Sequence, residues 1–130
     1  ECTLRIEHVA FNVSDPVAMA AWYCEHLGFQ LKSKTDGPPH TQFLADESDR
    51  VMIEIYCNPP DQVPEYSSMD PLVLHLALVS EDPEGDCARL TAEGAREVDD
   101  VRLPGGSHLK MLRDPWGLAL QLCKRIPPMV

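Results

Sequence analysis

A chain of 130 residues with 11 Lys and Arg against 21 Asp and Glu, net charge −10, has the length of one core-bearing domain. Its charge excludes phosphate backbones and anionic membrane surfaces as partners. Five cysteines, odd in number and without a CxxC pair, exclude a disulfide framework and a zinc finger and read as reduced thiols. No run approaches the roughly 18 apolar residues of a membrane span. Glu1 opens on no basic-then-apolar leader, so the expectation is a cytoplasmic protein with neither membrane nor nucleic acid as a partner.

Residues 4–13, rich in β-branched and apolar side chains, predict a first strand. It stops at Ser14-Asp15-Pro16, where Ser14 or Asp15 caps a helix that runs to about His26 and ends at Gly28. Strands are then expected near 29–34, 41–45 and 51–57, with turns at 36–39 and 46–49, and residues 58–69 form a linker. The second half repeats this plan. It has a strand over 72–79, a helix start at Asp82-Pro83, a helix to Glu93 before Gly94, and strands near 97–103, 108–113 and 118–124. Pro127-Pro128 ends the pattern.

The two halves superimpose at an offset of 67 residues, with His8 on His75, Asp15-Pro16 on Asp82-Pro83 and Glu54 on Gln121. The matched His, Glu and Gln are all metal-ligand types. Two residues from each half can meet only if the halves pair about a pseudo-twofold axis. Strand alternation carries the next step. Val9, Phe11 and Val13, and likewise Val51, Ile53 and Ile55, form an apolar face that can pack on a helix, while His8 and Glu54 fall on the other face. Leu72, Leu74, Leu76 and Leu78, and Leu118, Leu120 and Leu122, repeat this, with His75 and Gln121 opposite. A carboxylate in mid-strand is expensive to bury without a compensating charge.

The IEHVAFNVSDP opening, WYCEHLGF at the first helix end, the LHLALVSEDP restart and the DPWGLALQL close resemble the vicinal oxygen chelate superfamily, which includes glyoxalase I, epimerases, extradiol dioxygenases and bleomycin-binding proteins. The resemblance implies an α+β fold in which two tandem βαβββ modules, residues 4–57 and 71–124, form a cupped mixed sheet with helices on its outer face, within a single domain over 1–130. It also implies a divalent metal (Ni, Co, Zn, Mn or Fe) on His8, Glu54, His75 and Gln121, and a homodimer whose site residues can come from two chains. VMIEIYCN resembles the glyoxalase I segment in which Asn follows the Glu ligand by four residues, here Asn58. Two departures stand out. Gln121 occupies a position where glyoxalase I and the dioxygenases carry Glu, and Asn12 occupies one where bacterial glyoxalase I tends to carry a glutathione-holding Arg.

Two imidazoles, one carboxylate and one amide oxygen suit an octahedral ion with two positions left for a chelating substrate. The function expected is therefore a glyoxalase-like lyase or isomerase that stabilises an enediolate, with Glu54 as ligand and base. Asn12, Tyr56 and Asn58 are its expected substrate-binding residues. Lys110 is a further lining residue, and His108 a minor candidate. The alternatives are a metal-free small-molecule binding or antibiotic-resistance protein, and an epimerase or dioxygenase of the same superfamily. For a dioxygenase Gln121 cannot supply the last-strand carboxylate. Cys57 and Cys123 read as small apolar fillers.

Overall fold

In the computed structural model, which describes residues 2–130, both helices begin at the same signal. Asp15 Oδ1 accepts the Ala18 N–H (3.1 Å) as Pro16 opens α1 (Pro16–Leu27), and Asp82 Oδ1 accepts the Gly85 N–H (3.0 Å) as Pro83 opens α2 (Pro83–Thr91). Gly28 ends α1 in the left-handed conformation (φ 73°), where its N–H reaches the Tyr23 carbonyl. The shorter α2 stops two residues before the expected Glu93, capped by a right-handed Ala92.

The chain divides into two units, Glu1–Pro64 and Glu65–Val130. The first holds β1 (His8–Asn12), β2 (Gln30–Lys34), β3 (Gln42–Ala45) and β4 (Met52–Tyr56) in the order β1-β4-β3-β2. The second holds β5 (Leu76–Val79), β6 (Arg96–Arg102), β7 (His108–Arg113) and β8 (Ala119–Lys124) in the order β5-β8-β7-β6. In each, the first and last strands pair in parallel and the other pairs are antiparallel. This is an α+β fold of two βαβββ modules.

The repeat persists at the level of single bonds. Ala10 pairs with Glu54 and Ala77 with Gln121, and the Val13 N–H reaches the Tyr56 carbonyl (2.8 Å) as the Ser80 N–H reaches that of Cys123 (2.9 Å). Each module also interrupts its second strand with a bulge, between Leu31 and Ser33 and between Glu97 and Asp99.

Alternation sorts most side chains as expected, although Val9 and Val51 of the expected apolar face are exposed. Phe11, Leu44, Ile53 and Ile55 are buried in the first unit with Met19 and Tyr23 of α1, and Leu112, Leu120 and Leu122 in the second with Cys87 and Leu90 of α2. Each such aliphatic side chain contributes about 1.5–3 kcal/mol by leaving water.

Two strands begin later than predicted. β1 starts at His8 and β5 at Leu76, so Leu4, Ile6, Leu72 and Val73 are exposed. The cause in the second unit is local. Asp70 takes the Leu72 N–H on its carboxylate (2.9 Å) and the Val73 N–H on its carbonyl (2.9 Å), which turns the chain before it can join the ladder. His75 consequently stands one residue ahead of β5 rather than inside it.

A buried arginine secures the opening residues of the second unit to the rest of that unit. The Arg113 guanidinium donates to the carbonyls of Tyr66 (2.9 Å), Gly117 (3.1 Å) and Met69 (2.8 Å). Gly117 (φ 94°) lies so close to Ser67 that an added Cβ would stand 2.8 Å from its backbone nitrogen.

Candidate functional site

In the first unit His8 and Glu54 come together. The parallel register sets Glu54 beside Ala10, two residues along β1 from His8, on the face away from α1. The His8 ring stands edge-on to Phe43 (centroids 5.5 Å apart) and places Nε2 3.4 Å from Glu54 Oε1. Its Nδ1 lies 2.9 Å from the Glu7 carboxylate, an acceptor that fixes the proton on Nδ1. Glu54 is half-buried, its side chain 20% exposed, and this imidazole lies within ion-pair reach of it.

The second unit repeats the theme without a carboxylate. His75 Nδ1 donates to the Pro71 carbonyl (2.7 Å), again leaving Nε2 with its lone pair. Gln121, beside Ala77 and Met111 on the corresponding face, accepts a hydrogen bond from Cys123 Sγ on Oε1 (3.3 Å).

Asn12 has another task. Its Nδ2 donates to the Pro59 carbonyl (2.9 Å) and its Oδ1 accepts the Asn58 N–H (2.7 Å), which holds the chain leaving β4. Tyr56, paired with Asn12 at the end of the same strands, is half-buried, and Asn58 is exposed.

Lys110 does not share the Gln121 face. It pairs with Leu122, on the face packed by α2, and its side chain is 3% exposed. There Nζ contacts the Glu97 carboxylate and lies 3.4 Å from Glu84 Oε1 and 3.6 Å from Asp100 Oδ2, while His108 Nε2 lies 2.6 Å from Asp100 Oδ1. The bulge at Glu97/Asp99 makes this possible, because it turns Glu97 and Asp100, three residues apart, to one face. Ligand atoms of Glu84, Asp100 and His108 lie within 4.8 Å of one another, a spacing that would suit a metal ion. The Lys110 ammonium already supplies the cation.

The hydrogen bond to Glu97 raises the Lys110 pKa above its ordinary 10.5, and the one from His108 lowers the Asp100 carboxyl below 3.8. The raised lysine stabilises the fold below about pH 10.5 and loses that contribution as pH rises further. The depressed carboxyl stabilises above about pH 4 and loses its contribution as pH falls. Urea unfolding midpoints should therefore fall off at both ends, and Lys110→Met should remove most of the alkaline decline. An unchanged alkaline limb would count against this network.

Burial pushes the Cys87 and Cys123 thiols up, in keeping with fillers rather than nucleophiles, with the Arg125 charge acting the other way on Cys123.

Residues 5–122 match the family model for the Glyoxalase/Bleomycin resistance protein/Dioxygenase superfamily. No curated protein sequence matches. Among solved structures, a glyoxalase family protein from Enterococcus faecalis is 30% identical, with a TM-score of 0.70 over 92% of this chain and 97% of that one. An antibiotic binding protein from Streptomyces sp. CB03234 is 23% identical (TM-score 0.71; 95% and 97% covered). A glyoxalase I mutant from Zea mays is 22% identical, with a TM-score of 0.71, 93% of this chain and 45% of that one being covered.

Proposed function

Because the chain belongs to the Glyoxalase/Bleomycin resistance protein/Dioxygenase superfamily, we propose that it is a metal-dependent lyase or isomerase of glyoxalase type, a single domain of modules 4–57 and 71–124 that supplies His8, Glu54, His75 and Gln121 as its metal ligands. One observation carries this reading. Both repeat-matched histidines give their Nδ1 proton to an oxygen, Glu7 in one case and Pro71 in the other, which is the support that ligating imidazoles need to present Nε2.

The donors fit a divalent ion such as Ni, Co, Zn, Mn or Fe: two imidazoles, a carboxylate and an amide oxygen. Such an ion would supply Lewis acidity toward two neighbouring oxygens of a small substrate. Glu54 is the base, taking the proton α to the carbonyl, and stands 3.4 Å from His8 Nε2. Gln121 orients through its amide oxygen and takes no proton.

We also propose a homodimer in which His8 and Glu54 of one chain meet His75 and Gln121 of another. Exposed Leu4 and Ile6 ahead of the edge strand β1, and Leu72 and Val73 ahead of β5, favour such pairing. The free cysteines favour a reducing, cytoplasmic setting. Among the described residues no helix is long and apolar enough to cross a membrane.

Titrating metal-stripped protein with Ni, Co, Mn and Zn tests the core of the proposal. One ion should bind per ligand set, with His8→Ala and His75→Ala each weakening it by about 100-fold or more. Binding by none of the four would leave a metal-free binding protein. A monomer by light scattering would remove the shared site.

A further inference from the structure

The two modules finish their parallel strand pairs differently. In the first, Asn12 and Tyr56 form the last pair, and the Asn12 amide is taken up by the following Asn58-Pro59. At the offset of 67, the second module has Val79 and Cys123 in these positions and Arg125 in place of Asn58. Here no amide draws the departing chain onto the sheet. The tail instead forms, with Val79 and Cys123, an open cavity of about 300 Å³ lined by Ile126 and Met129.

This cavity shares a face with Gln121. Val79 and Cys123 are the next pair on that face after Ala77 and Gln121, a step of about 7 Å along the strands, and Cys123 Sγ donates to Gln121 Oε1. Its volume falls at the lower end of small-molecule sites, about 300–1,000 Å³. The lining is mostly apolar and includes Lys124, Arg125 and Glu81, with Arg125 near enough to Cys123 for its charge to act on that thiol.

We propose that this cavity binds the apolar body of a small organic anion, such as an aromatic or branched aliphatic carboxylate, with the anionic group met by Arg125. Taken with the ligand role proposed for Gln121, on which this extension rests, the substrate's paired oxygens lie at Gln121 and its apolar part extends toward Val79. The second module thereby sets the class of substrate.

The probe is 2-naphthoate, with the uncharged 2-naphthalenemethanol as its comparison, added to metal-stripped protein and followed by calorimetry and amide NMR shifts. Naphthoate should bind and shift the amides of Val79, Cys123 and Ile126. Val79 is 64% exposed, so Val79→Trp fills the cavity without disturbing the core, and it should weaken both probes at least tenfold. Arg125→Gln should weaken naphthoate about tenfold and leave the alcohol unaffected. Absence of naphthoate binding, shifts confined to other residues, or unchanged affinity in Val79→Trp would each overturn the proposal. Metal titration of Val79→Trp separates the two readings. Unchanged metal affinity with lost naphthoate binding supports the cavity, whereas naphthoate binding to a protein that takes up no metal keeps the cavity and removes the ligand set.

Discussion

Glu54→Gln is expected to lower turnover by about 10²–10⁴-fold while leaving metal bound, because the amide keeps an oxygen for coordination and loses the ability to take a proton. No other member of the proposed ligand set is a carboxylate. Direct ligation would favour the ionised form of Glu54 and suppress its basicity, so a carboxylate held by an ion would be a weaker base than a free one. Gln121→Glu should strengthen metal binding by adding a charge and offers a second base at the repeat-related position. The substrates to assay are the hemithioacetal of methylglyoxal first and a 2-methyl acyl thioester second. Full activity of Glu54→Gln on either would rule out its role as base. Absence of activity on any chelating carbonyl compound would point to a binding protein.

The largest effect on stability is expected at Arg113. Its side chain is buried and its guanidinium satisfies three backbone carbonyls, which tie residues 66–69 to the turn at Gly117. Arg113→Met keeps the apolar stem and leaves these acceptors without their donor, at a cost of about 3 kcal/mol or more. Arg113→Lys should recover only part of this, since one ammonium cannot reproduce the planar fork. Urea unfolding monitored by circular dichroism gives the comparison. A loss below about 1 kcal/mol for Arg113→Met would show that water replaces the guanidinium.

The architecture was legible because its signals are local and occur twice. Asp-Pro marks both helix starts, Gly28 marks a helix end, and leucine and isoleucine alternation assigns the buried faces of β4 and β8. The late starts of β1 and β5 were not legible, since apolar residues such as Leu72 and Val73 read as strand until Asp70 is seen to capture their backbone N–H groups. The shared face of His8 and Glu54 was legible from strand alternation, whereas their 3.4 Å approach comes from the parallel pairing of β1 with β4.

The ion network under α2 escaped for a different reason. Simple alternation sends Glu97 and Asp100 to opposite faces, and the one-residue bulge that reunites them has no distinctive sequence mark. Lys110 thus looked like a lining residue when it is an internal cation. The tail after β8 was equally opaque. Pro127-Pro128 reads as the end of regular structure, and only the fold shows that neighbouring side chains wall a cavity.

The segment between the modules is fastened at both ends, by Asn12 to Asn58-Pro59 on one side and by Arg113 to Tyr66 and Met69 on the other, with each fastening internal to its own unit. A crossover at Pro64 would therefore carry each clasp intact with the half it serves.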